Sequence, residues 1–277
     1  MSKTRTIVGS DRDDWLSGRD GDDDISGRAG DDILFGKDGN DAIRGQRGFD
    51  TLFGNDGDDW LYGGQQNDNL YGGWGNDVLH GDSGRITTKG TDYGSDNLNG
   101  GAGKDRLYQS DGNDTMTGGS GQDSFQFKWQ DPMIALAAGT GRSFANLTDF
   151  DPDEDRFVFD VAGLGRDAFG ANFVDGGNGT VGGRAASFFQ GDAADSNGEA
   201  VMVLTDTGFA TGLDAVAAAQ GEALGDFVLY FNTTVNVASL LFVDGTDAAH
   251  SIARFANLDS LDDLENAGFQ ASDFLFA

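Results

Sequence analysis

Large aliphatic residues recur every nine positions through the first part of the chain, and glycine, aspartate and other polar residues separate them. Twelve such units follow one another, and the eighth place of each is Leu, Ile, Met or Phe, from Leu16 to Phe125. The units start at residues 9, 18, 27, 36, 45, 54, 63, 72, 81, 100, 109 and 118. The unit at 81 spans nineteen residues, so it holds an insertion of ten, about Gly84–Tyr93. A fixed period of this kind indicates a solenoid of short repeated elements.

The remaining places follow the template Gly-Gly-x-Gly-x-Asp-x-aliphatic-x. The sixth place is Asp in all twelve units, and the first is Gly in eleven, with Gln109 as the exception. The fourth place is Gly in ten units, and Arg12 and Gln66 are the exceptions. The second place is variable, and Arg19, Arg28, Lys37, Gln46 and Asn55 are among the residues that replace Gly there.

The chemistry of this template predicts calcium-binding turns. Glycine adopts backbone angles that side chains forbid, aspartate supplies a hard anionic oxygen, and turn carbonyls supply further oxygen ligands, as calcium prefers. Each x-aliphatic-x triplet is typical of a short strand with one inward side chain. Two units then make one coil of eighteen residues, and the turns alternate between two edges. Because each ion would lie between one turn and the turn two units later, twelve turns leave five gaps per edge and at most ten ions.

The candidate calcium ligands are the sixth-place carboxylates and the backbone of the turn glycines. The carboxylates are those of Asp14, Asp23, Asp32, Asp41, Asp50, Asp59, Asp68, Asp77, Asp96, Asp105, Asp114 and Asp123. The glycines are Gly18, Gly21, Gly27, Gly30, Gly36, Gly39, Gly45, Gly48, Gly54, Gly57, Gly72, Gly75, Gly100, Gly103, Gly118 and Gly121.

On these repeats, residues 9–126 resemble the RTX family of hemolysin-type calcium-binding repeat proteins. The resemblance implies an all-β fold with a right-handed parallel β-roll, preceded by a lead-in at residues 1–8. We expect the repeats to be disordered without calcium, because one aliphatic side chain in nine residues cannot offset the ordering entropy of the others. Extracellular calcium modules bind at roughly 10⁻⁴–10⁻³ M, so the chain is expected to stay unfolded inside a cell and to fold outside it.

Composition and charge limit the function further. The chain has 47 acidic and 18 basic residues, a net charge of −29, which excludes nucleic acid as a partner and favours divalent cations. Of the acids, 43 are Asp and only 4 are Glu, which favours tight turns and metal ligands over general solvation. There is no Cys, and His80 and His250 are the only histidines, so disulfides and a zinc site are not expected. The H-E-x-x-H and G-x-S-x-G motifs are absent, and we expect no enzyme activity.

The second half, residues 127–277, differs in composition and holds 17 of the 21 Phe, enough for a core. It is interpreted as a β-rich domain that caps the roll. Apolar runs bounded by Gly, Asp and Asn predict strands at Arg156–Val161, Ala200–Leu204, Phe227–Phe231, Ser239–Val243 and Ile252–Phe255. Two Ala-rich segments, Asp214–Ala219 and Leu261–Ala267, predict short helices.

Two segments of this half add to the resemblance. The segment 147–159 is similar to a motif that often follows RTX repeats, and Asn266–Ala277 is similar to RTX endings that carry an uncleaved type I secretion signal. The resemblance implies export through a type I apparatus to the outside of a Gram-negative bacterium. No apolar core of signal-peptide length opens the sequence, and no run of 18 apolar residues predicts a membrane-spanning helix. Asp149, Asp151 and Asp153 are a possible extra metal site of irregular geometry.

The outward seventh and ninth places supply candidate interface residues, because units two apart stack on the same sheet. One sheet aligns Phe35, Phe53 and Tyr71, flanked by Trp15 and Ile33, and the other groups Trp60, Tyr62, Val78, His80 and Tyr108. A contiguous exposed aromatic stripe usually marks an interface. The alternatives are that these side chains only stiffen the sheets, or that the second half covers one face.

The sequence therefore predicts a secreted, calcium-dependent, non-enzymatic protein with a structural role. Ten calcium ions would add 20 positive charges and lower the net charge from −29 to about −9, which favours self-association. The expected assembly is a surface layer, matrix or adhesion component, and the expected partners are calcium and either a second copy, as homo-oligomer or lattice, or cell-surface polysaccharide. The alternative is a membrane-active or host-interacting protein, because small secreted RTX proteins of rhizobia resemble this size and layout. An enzyme that uses carboxylates of the second half is a third, weaker hypothesis.

Overall fold

The structure is a computed structural model, and it describes residues 4–82, 94–110, 112–128, 144–160, 183–184, 188–191, 193–195, 201–219, 227–243 and 249–276. The chain divides into two compact units, Met1–Gln126 and Phe127–Ala277. The proposed insertion at residues 84–93 lies outside the described residues.

The first unit consists of short parallel strands in two sheets. The strands are β1 (Arg5–Val8), β2 (Trp15–Ser17), β3 (Asp23–Ala29), β4 (Ile33–Asp38), β5 (Ala42–Arg47), β6 (Thr51–Asp56), β7 (Trp60–Gln65), β8 (Asn69–Trp74), β9 (Val78–Asp82), β10 (Asn97–Gly103), β11 (Arg106–Gln109) and β12 (Asn113–Gly121). Odd-numbered strands pair in sequence order in one sheet, and even-numbered strands do so in the other. This alternation is the parallel β-roll that the nine-residue period predicts. A further strand, β13 (Ser124–Lys128), crosses the boundary between the units.

The register of the strands confirms a coil of eighteen residues. Leu34 pairs with Leu52 and Leu52 with Leu70, so equivalent residues of successive coils lie side by side. The step lengthens in both sheets beside the insertion, where Leu70 pairs with Leu98. Hydrogen bonds between sixth-place aspartates also continue across the insertion, where they join residues 28 apart in sequence, and they join residues 18 apart elsewhere. The ten-residue insertion therefore leaves the coil register unchanged on either side.

The eighth-place side chains form the core of the roll. Ile25, Leu34 and every later member of the series, through Met116 to Phe125, are 0% exposed. Because each coil adds only two such side chains, the core is one side chain wide on each sheet. Burial of an aliphatic side chain contributes roughly 1.5–3 kcal/mol, so each coil gains only a small apolar contribution from this narrow core.

The backbone is strained at the second place of several units, where the residue is not glycine. Arg28, Lys37, Gln46 and Asn55 have φ values of 88°, 90°, 87° and 79°, in the left-handed region that favours glycine. Gly64, Gly73, Gly101 and Gly119 adopt positive φ at the same place in later units. In these eight units the second place favours glycine, and four of them meet the left-handed backbone with strained side-chain residues, whereas Arg19 has no positive φ.

The second unit contains strands of two sheets and two short helices. Its strands are β14 (Phe144–Leu147), β15 (Arg156–Asp160), β16 (Gly183–Arg184), β17 (Phe188–Gly191), β18 (Val201–Phe209), β19 (Phe227–Asn232), β20 (Val237–Val243), β21 (Ala249–Phe255) and β22 (Phe274–Phe276). The order β17-β18-β19-β20-β21-β14 combines parallel and antiparallel pairs, while β22 pairs with β15 in parallel and with β16 in antiparallel. The helices are α1 (Gly212–Ala218) and α2 (Leu261–Asn266).

Phenylalanine rings and aliphatic side chains fill the core of this unit. Phe150 packs against Phe157 at 4.3 Å between ring centroids, and Phe157 lies 5.3 Å from Phe274. On the sheet, Met202 and Tyr230 are buried beneath α1, which begins at a capping box of Thr211 and Asp214. All five predicted strands and both predicted helices are present with small shifts of their bounds. Four strands among the described residues that the apolar runs did not predict, β14, β16, β17 and β22, are also present.

We predict that Lys37→Gly stabilises the calcium-loaded protein by roughly 0.5–1 kcal/mol, because it relieves a left-handed φ of 90°. The matched control is Arg47→Gly, which removes the same charge one place further along its unit, at a residue without positive φ. That control should cost roughly 0.5–1 kcal/mol through backbone entropy. Urea denaturation at fixed calcium measures both, and equal shifts in the two variants would contradict the strain.

Candidate calcium site

The sixth-place aspartates stand in two columns, one at each edge of the roll. We call them the Asp14 edge, with Asp14, Asp32, Asp50, Asp68, Asp96 and Asp114, and the Asp23 edge, with Asp23, Asp41, Asp59, Asp77, Asp105 and Asp123. All except Asp14 are buried, with at most 5% of the residue exposed. The structure thus brings together the carboxylates that the template predicts.

One oxygen of each carboxylate is used to join successive coils. The amide of Asp41 donates to Oδ1 of Asp59 at 2.8 Å, and the amide of Asp59 donates to Oδ1 of Asp77 at the same distance. The pattern repeats in every coil and gives five links on each edge, with donor–acceptor distances of 2.7–3.0 Å. These links fix the orientation of each carboxylate and leave its second oxygen to face the turn.

The second carboxylate oxygen, Oδ2, is buried without a hydrogen-bond partner in seven of these residues. They are Asp32, Asp41, Asp50, Asp59, Asp68, Asp77 and Asp105. A buried anionic oxygen without a partner is costly, so its presence at a repeated position indicates a bound cation. The geometry of the turns therefore supports the predicted calcium sites independently of the sequence pattern.

The first-place glycines explain how a cation fits beside Oδ2. A β-carbon on Gly36 would lie within 3.0 Å of both Asp41 Oδ2 and the carbonyl oxygen of Gly54, which belongs to the next coil of the same edge. A β-carbon on Gly9 would lie 2.6 Å from both Asp14 Oδ2 and the Gly27 carbonyl oxygen. An anionic oxygen and a carbonyl oxygen of the neighbouring coil therefore converge where only glycine fits. These are the ligand types that calcium takes, and the residues present fit the ion.

The charged form of the sixth-place carboxylates is strongly unfavourable, because they are buried and lie close to one another. Burial, together with the nearby aspartates, raises the pKa of Asp59 to about 8 and that of Asp68 to about 9, although the amide bond to Oδ1 opposes the shift. The same causes raise the pKa of Asp50 and Asp105 to about 7 and that of Asp41 to about 6. Without a cation, each of these side chains must hold a proton or oppose folding.

At three turns the protein itself supplies donors to Oδ2. The amide and hydroxyl of Ser110 donate to Asp114 Oδ2 at 2.9 and 3.0 Å, and Ser10 makes the same pair of contacts with Asp14. The amide of Arg19 donates to Asp23 Oδ2 at 2.8 Å. These second-place residues lie at or near the ends of the columns. Because their donors already satisfy Oδ2, a cation is less necessary to stabilise the carboxylate there.

A second ladder of side chains at the fifth place escaped the sequence analysis. The amide of Asp58 donates to Asn40 Oδ1 at 2.9 Å, and the amide of Asn76 donates to Asp58 Oδ1 at 2.8 Å. These bonds run in the opposite direction to those of the buried columns and lie on the exposed surface of the turns. The signal in the sequence was the excess of Asp, Asn and Ser at a place that the template leaves unspecified.

The outward aromatic residues stack in two ladders. Phe35, Phe53 and Tyr71 stack at centroid distances of 4.9 and 5.0 Å, and Trp15 lies against Phe35. Tyr62, His80 and Tyr108 stack on the other sheet at 4.8 and 4.0 Å. Because the ring faces are turned to one another, this geometry favours stiffening of the sheets over contact with a partner. Ile33, next to Phe35, is partly buried.

Val78 was predicted to be an exposed interface candidate, but only 5% of this residue is exposed. The register sets this short side chain between Trp60 and Arg106, two larger residues of the same sheet. Trp15 and Trp60 are 71% and 50% exposed, as predicted for outward places. Trp74 and Phe49, at turn places that the analysis did not single out, are 71% and 55% exposed.

The possible extra metal site in the second unit is a hydrogen-bonded turn. The amide of Asp153 donates to Asp151 Oδ1, and the amide of Asp151 donates to Asp155 Oδ2, both at 2.9 Å. Asp155, which was not predicted, is the buried carboxylate here. Within the part of the chain that the structure describes, no three acidic or histidine side chains converge as a metal cluster, so Asp149, Asp151 and Asp153 form no such group.

No helix among the described residues is long and apolar enough to cross a membrane. The side chain of His250 lies outside those that the structure describes.

Comparisons with known proteins agree with this geometry. A family model described as the RTX calcium-binding nonapeptide repeat matches residues 6–34, 35–70, 53–85 and 91–125. The chain is 36% identical over 161 residues to Nodulation protein O of Rhizobium leguminosarum bv. viciae. That match covers 53% of this chain and 55% of the relative, so the chain spans about half the length of this relative. The chain is also similar to the solution structure of the AlgE6R3 subunit from the Azotobacter vinelandii mannuronan C5-epimerase, with 22% identity, a TM-score of 0.31 and 81% of each chain covered.

We predict opposite effects of Asp59→Asn with and without calcium. Removal of a buried charge should stabilise the calcium-free roll, whereas loss of an anionic ligand should raise the calcium concentration at half-folding. The loss amounts to about 1.4 kcal/mol per site at tenfold excess over the dissociation constant. The control is Asp58→Asn, because Asn40 and Asn76 already serve at this fifth place. Circular dichroism during calcium titration measures both variants, and similar midpoints would contradict the assignment.

We also predict that acid favours the calcium-free roll. Since the folded pKa values of about 6 to 9 exceed the unfolded value of 3.8, the folded state binds more protons across this range. The protonated groups stabilise the fold below about pH 4, and this contribution is lost as pH rises through 6 to 9. Calcium-stripped protein should therefore contain more β-structure at pH 5 than at pH 8. A β-content that rises with pH would contradict the burial of the columns.

Proposed function

Since residues 6–125 of this chain belong to the RTX calcium-binding nonapeptide repeat family, we propose that the protein is secreted, folds on extracellular calcium and then serves a non-enzymatic structural role. Its place would be a surface layer, a matrix or an adhesive contact. The observation that carries the proposal is the pair of buried carboxylate columns, in which seven Oδ2 atoms have no hydrogen-bond partner. Such columns make folding conditional on a cation.

The calcium gradient across the cell envelope would set where the chain folds. At about ten times the dissociation constant each site adds ~1.4 kcal/mol, so ten sites would add on the order of 14 kcal/mol, more than a typical domain's whole stability. At cytosolic calcium the same sites would add almost nothing. An unfolded chain inside the cell is also the state that a type I secretion apparatus would export.

The second unit would cap the roll and carry the export signal. We place that signal in Asn266–Ala277, on its likeness to RTX endings. Phe269 and Phe274 of this segment are buried in the phenylalanine core, so after export the same residues would serve the fold.

Calcium would also permit close contact between molecules. The chain carries a net charge of −29, and ten bound calcium ions would lower this to about −9. A rigid roll with stiffened faces then becomes a suitable building block for a self-associating layer.

The second candidate function is a host-directed or membrane-active role, and the relative named for nodulation favours it. In that case the calcium-loaded roll would meet a host surface and would not form a layer of its own.

We predict that calcium titration of the purified chain raises β-structure in circular dichroism together with light scattering. Mg²⁺ at the same concentrations is the control, because it demands a smaller, more regular ligand shell. Folding to a stable monomer would contradict self-assembly, and calcium-dependent leakage of liposomes by that monomer would then support the second candidate. Failure to gain β-structure would contradict calcium-driven folding itself.

A further inference from the structure

The two edges of the roll differ in how closely their residues match the nine-residue template. On the Asp23 edge, the first and fourth places are glycine in every turn, from Gly18 and Gly21 to Gly118 and Gly121. Every departure at these places falls on the Asp14 edge, namely Arg12, Gln66, Gln109 and the insertion of ten residues. The Asp23 edge is therefore a regular column, and the Asp14 edge tolerates or requires other chemistry.

An exposed phenylalanine interrupts the fifth-place ladder on the Asp14 edge. The amide of Phe49 donates to Asp31 Oδ1 at 2.9 Å, but the phenylalanine ring offers no acceptor to the next coil. The ladder resumes one coil later, where the amide of Ser95 donates to Asn67 Oδ1 at 3.0 Å. Phe49 is 55% exposed, so it forgoes a hydrogen bond and gains little burial within the chain. An exposed apolar residue at such a place is typical of a contact surface.

The residues at the third place of the turns also differ between the edges: the Asp14 edge has Ala29 and Arg47 in successive coils where the Asp23 edge has aspartates. Arg28 and Arg47 lie on adjacent strands of the Asp14 edge, both are exposed, and neither is in an ion pair among the described residues. Asp31, beside Phe49, already accepts an amide with its carboxylate. The guanidinium groups of Arg28 and Arg47 are therefore available to pair with carboxylates of a partner.

The Asp23 edge carries the complementary surface. Its third place is Asp20, Asp38 and Asp56 in successive coils, and all three are exposed. Asp38 and Asp56 are paired in register, and Trp74 continues the same row with 71% of its surface exposed. Like charges side by side repel one another, so this row favours a basic partner.

We propose that the Asp14 edge of one copy binds the Asp23 edge of a second copy. Arg28 and Arg47 would face the row of Asp38 and Asp56, and Phe49 and Trp74 would supply the apolar contact. The spacing matches without adjustment, because coils of one protein repeat at the same distance, about 4.8 Å, on both edges. Since the two surfaces are different patches of the same chain, the contact is heterologous and continues from copy to copy. The inference rests on the self-assembly proposed above and names the surfaces that perform it.

The experiment uses charge reversal in the full chain at millimolar calcium, followed by sedimentation velocity. Arg28→Asp with Arg47→Asp should weaken self-association by on the order of a hundredfold, and so should Asp38→Arg with Asp56→Arg. A mixture of the two variants should associate again, because the reversed edges complement each other. Asp tolerates the left-handed backbone of position 28 better than Arg does, and circular dichroism checks the fold of each variant.

The control is Arg44→Asp with Arg106→Asp, which changes the net charge equally at exposed residues on the face of one sheet and leaves both edges intact. It should associate as the unmodified chain does. If the unmodified chain assembles and the Arg28 and Arg47 variant assembles equally well, the edge contact is wrong while self-assembly stands. If the unmodified chain folds on calcium and stays monomeric, the assembly proposed above fails, and the edge contact fails with it.

Discussion

The burial of carboxylates at the edges of the roll is the constraint on which the rest of this structure depends, and repulsion between neighbouring carboxylates adds to it. Each coil places two aspartates at the edges of the roll, and the next coil places two more directly above them. Amides hold one oxygen of each carboxylate in place, so the other oxygen cannot turn towards water. Because a charged carboxylate is unfavourable in this position, a cation at each edge would favour folding. The core of one aliphatic side chain per unit and sheet supplies the apolar contribution and fixes which side of each strand faces inwards.

Two ladders of side-chain hydrogen bonds hold successive coils together. The buried sixth-place ladder links amides to the carboxylates of the following coil, and the exposed fifth-place ladder links amides to the preceding coil, with a break after Phe49. Because the bonds run in opposite directions, a coil is tied to both neighbours at each turn. This arrangement makes the roll cooperative along its axis, as expected for a solenoid with nearest-neighbour interactions.

The roll was predictable from the sequence because its signals are local and repeated. Twelve aspartates in phase specify the columns, and the eighth-place aliphatic residues specify the inward face. The fifth-place ladder was missed since Asp, Asn and Ser serve interchangeably there, as at Asp58, Asn76 and Ser95. Val78 was placed wrongly because its exposure depends on Trp60 and Arg106, which are distant in sequence. In the second unit, apolar runs predicted the central strands, but the mixed order of the sheet depends on long-range pairing that no local pattern contains.

The insertion in the unit that begins at Gly81 has a consequence for how such a protein can be altered. Strand pairing passes from Leu79 to Leu107 and from Leu70 to Leu98 with the same partners as in an uninterrupted coil. The register of the strands is therefore independent of how many residues separate Asp82 from Gly94. Evolution or a protein engineer can exchange the insertion for another sequence without a change in the strand pairing on either side.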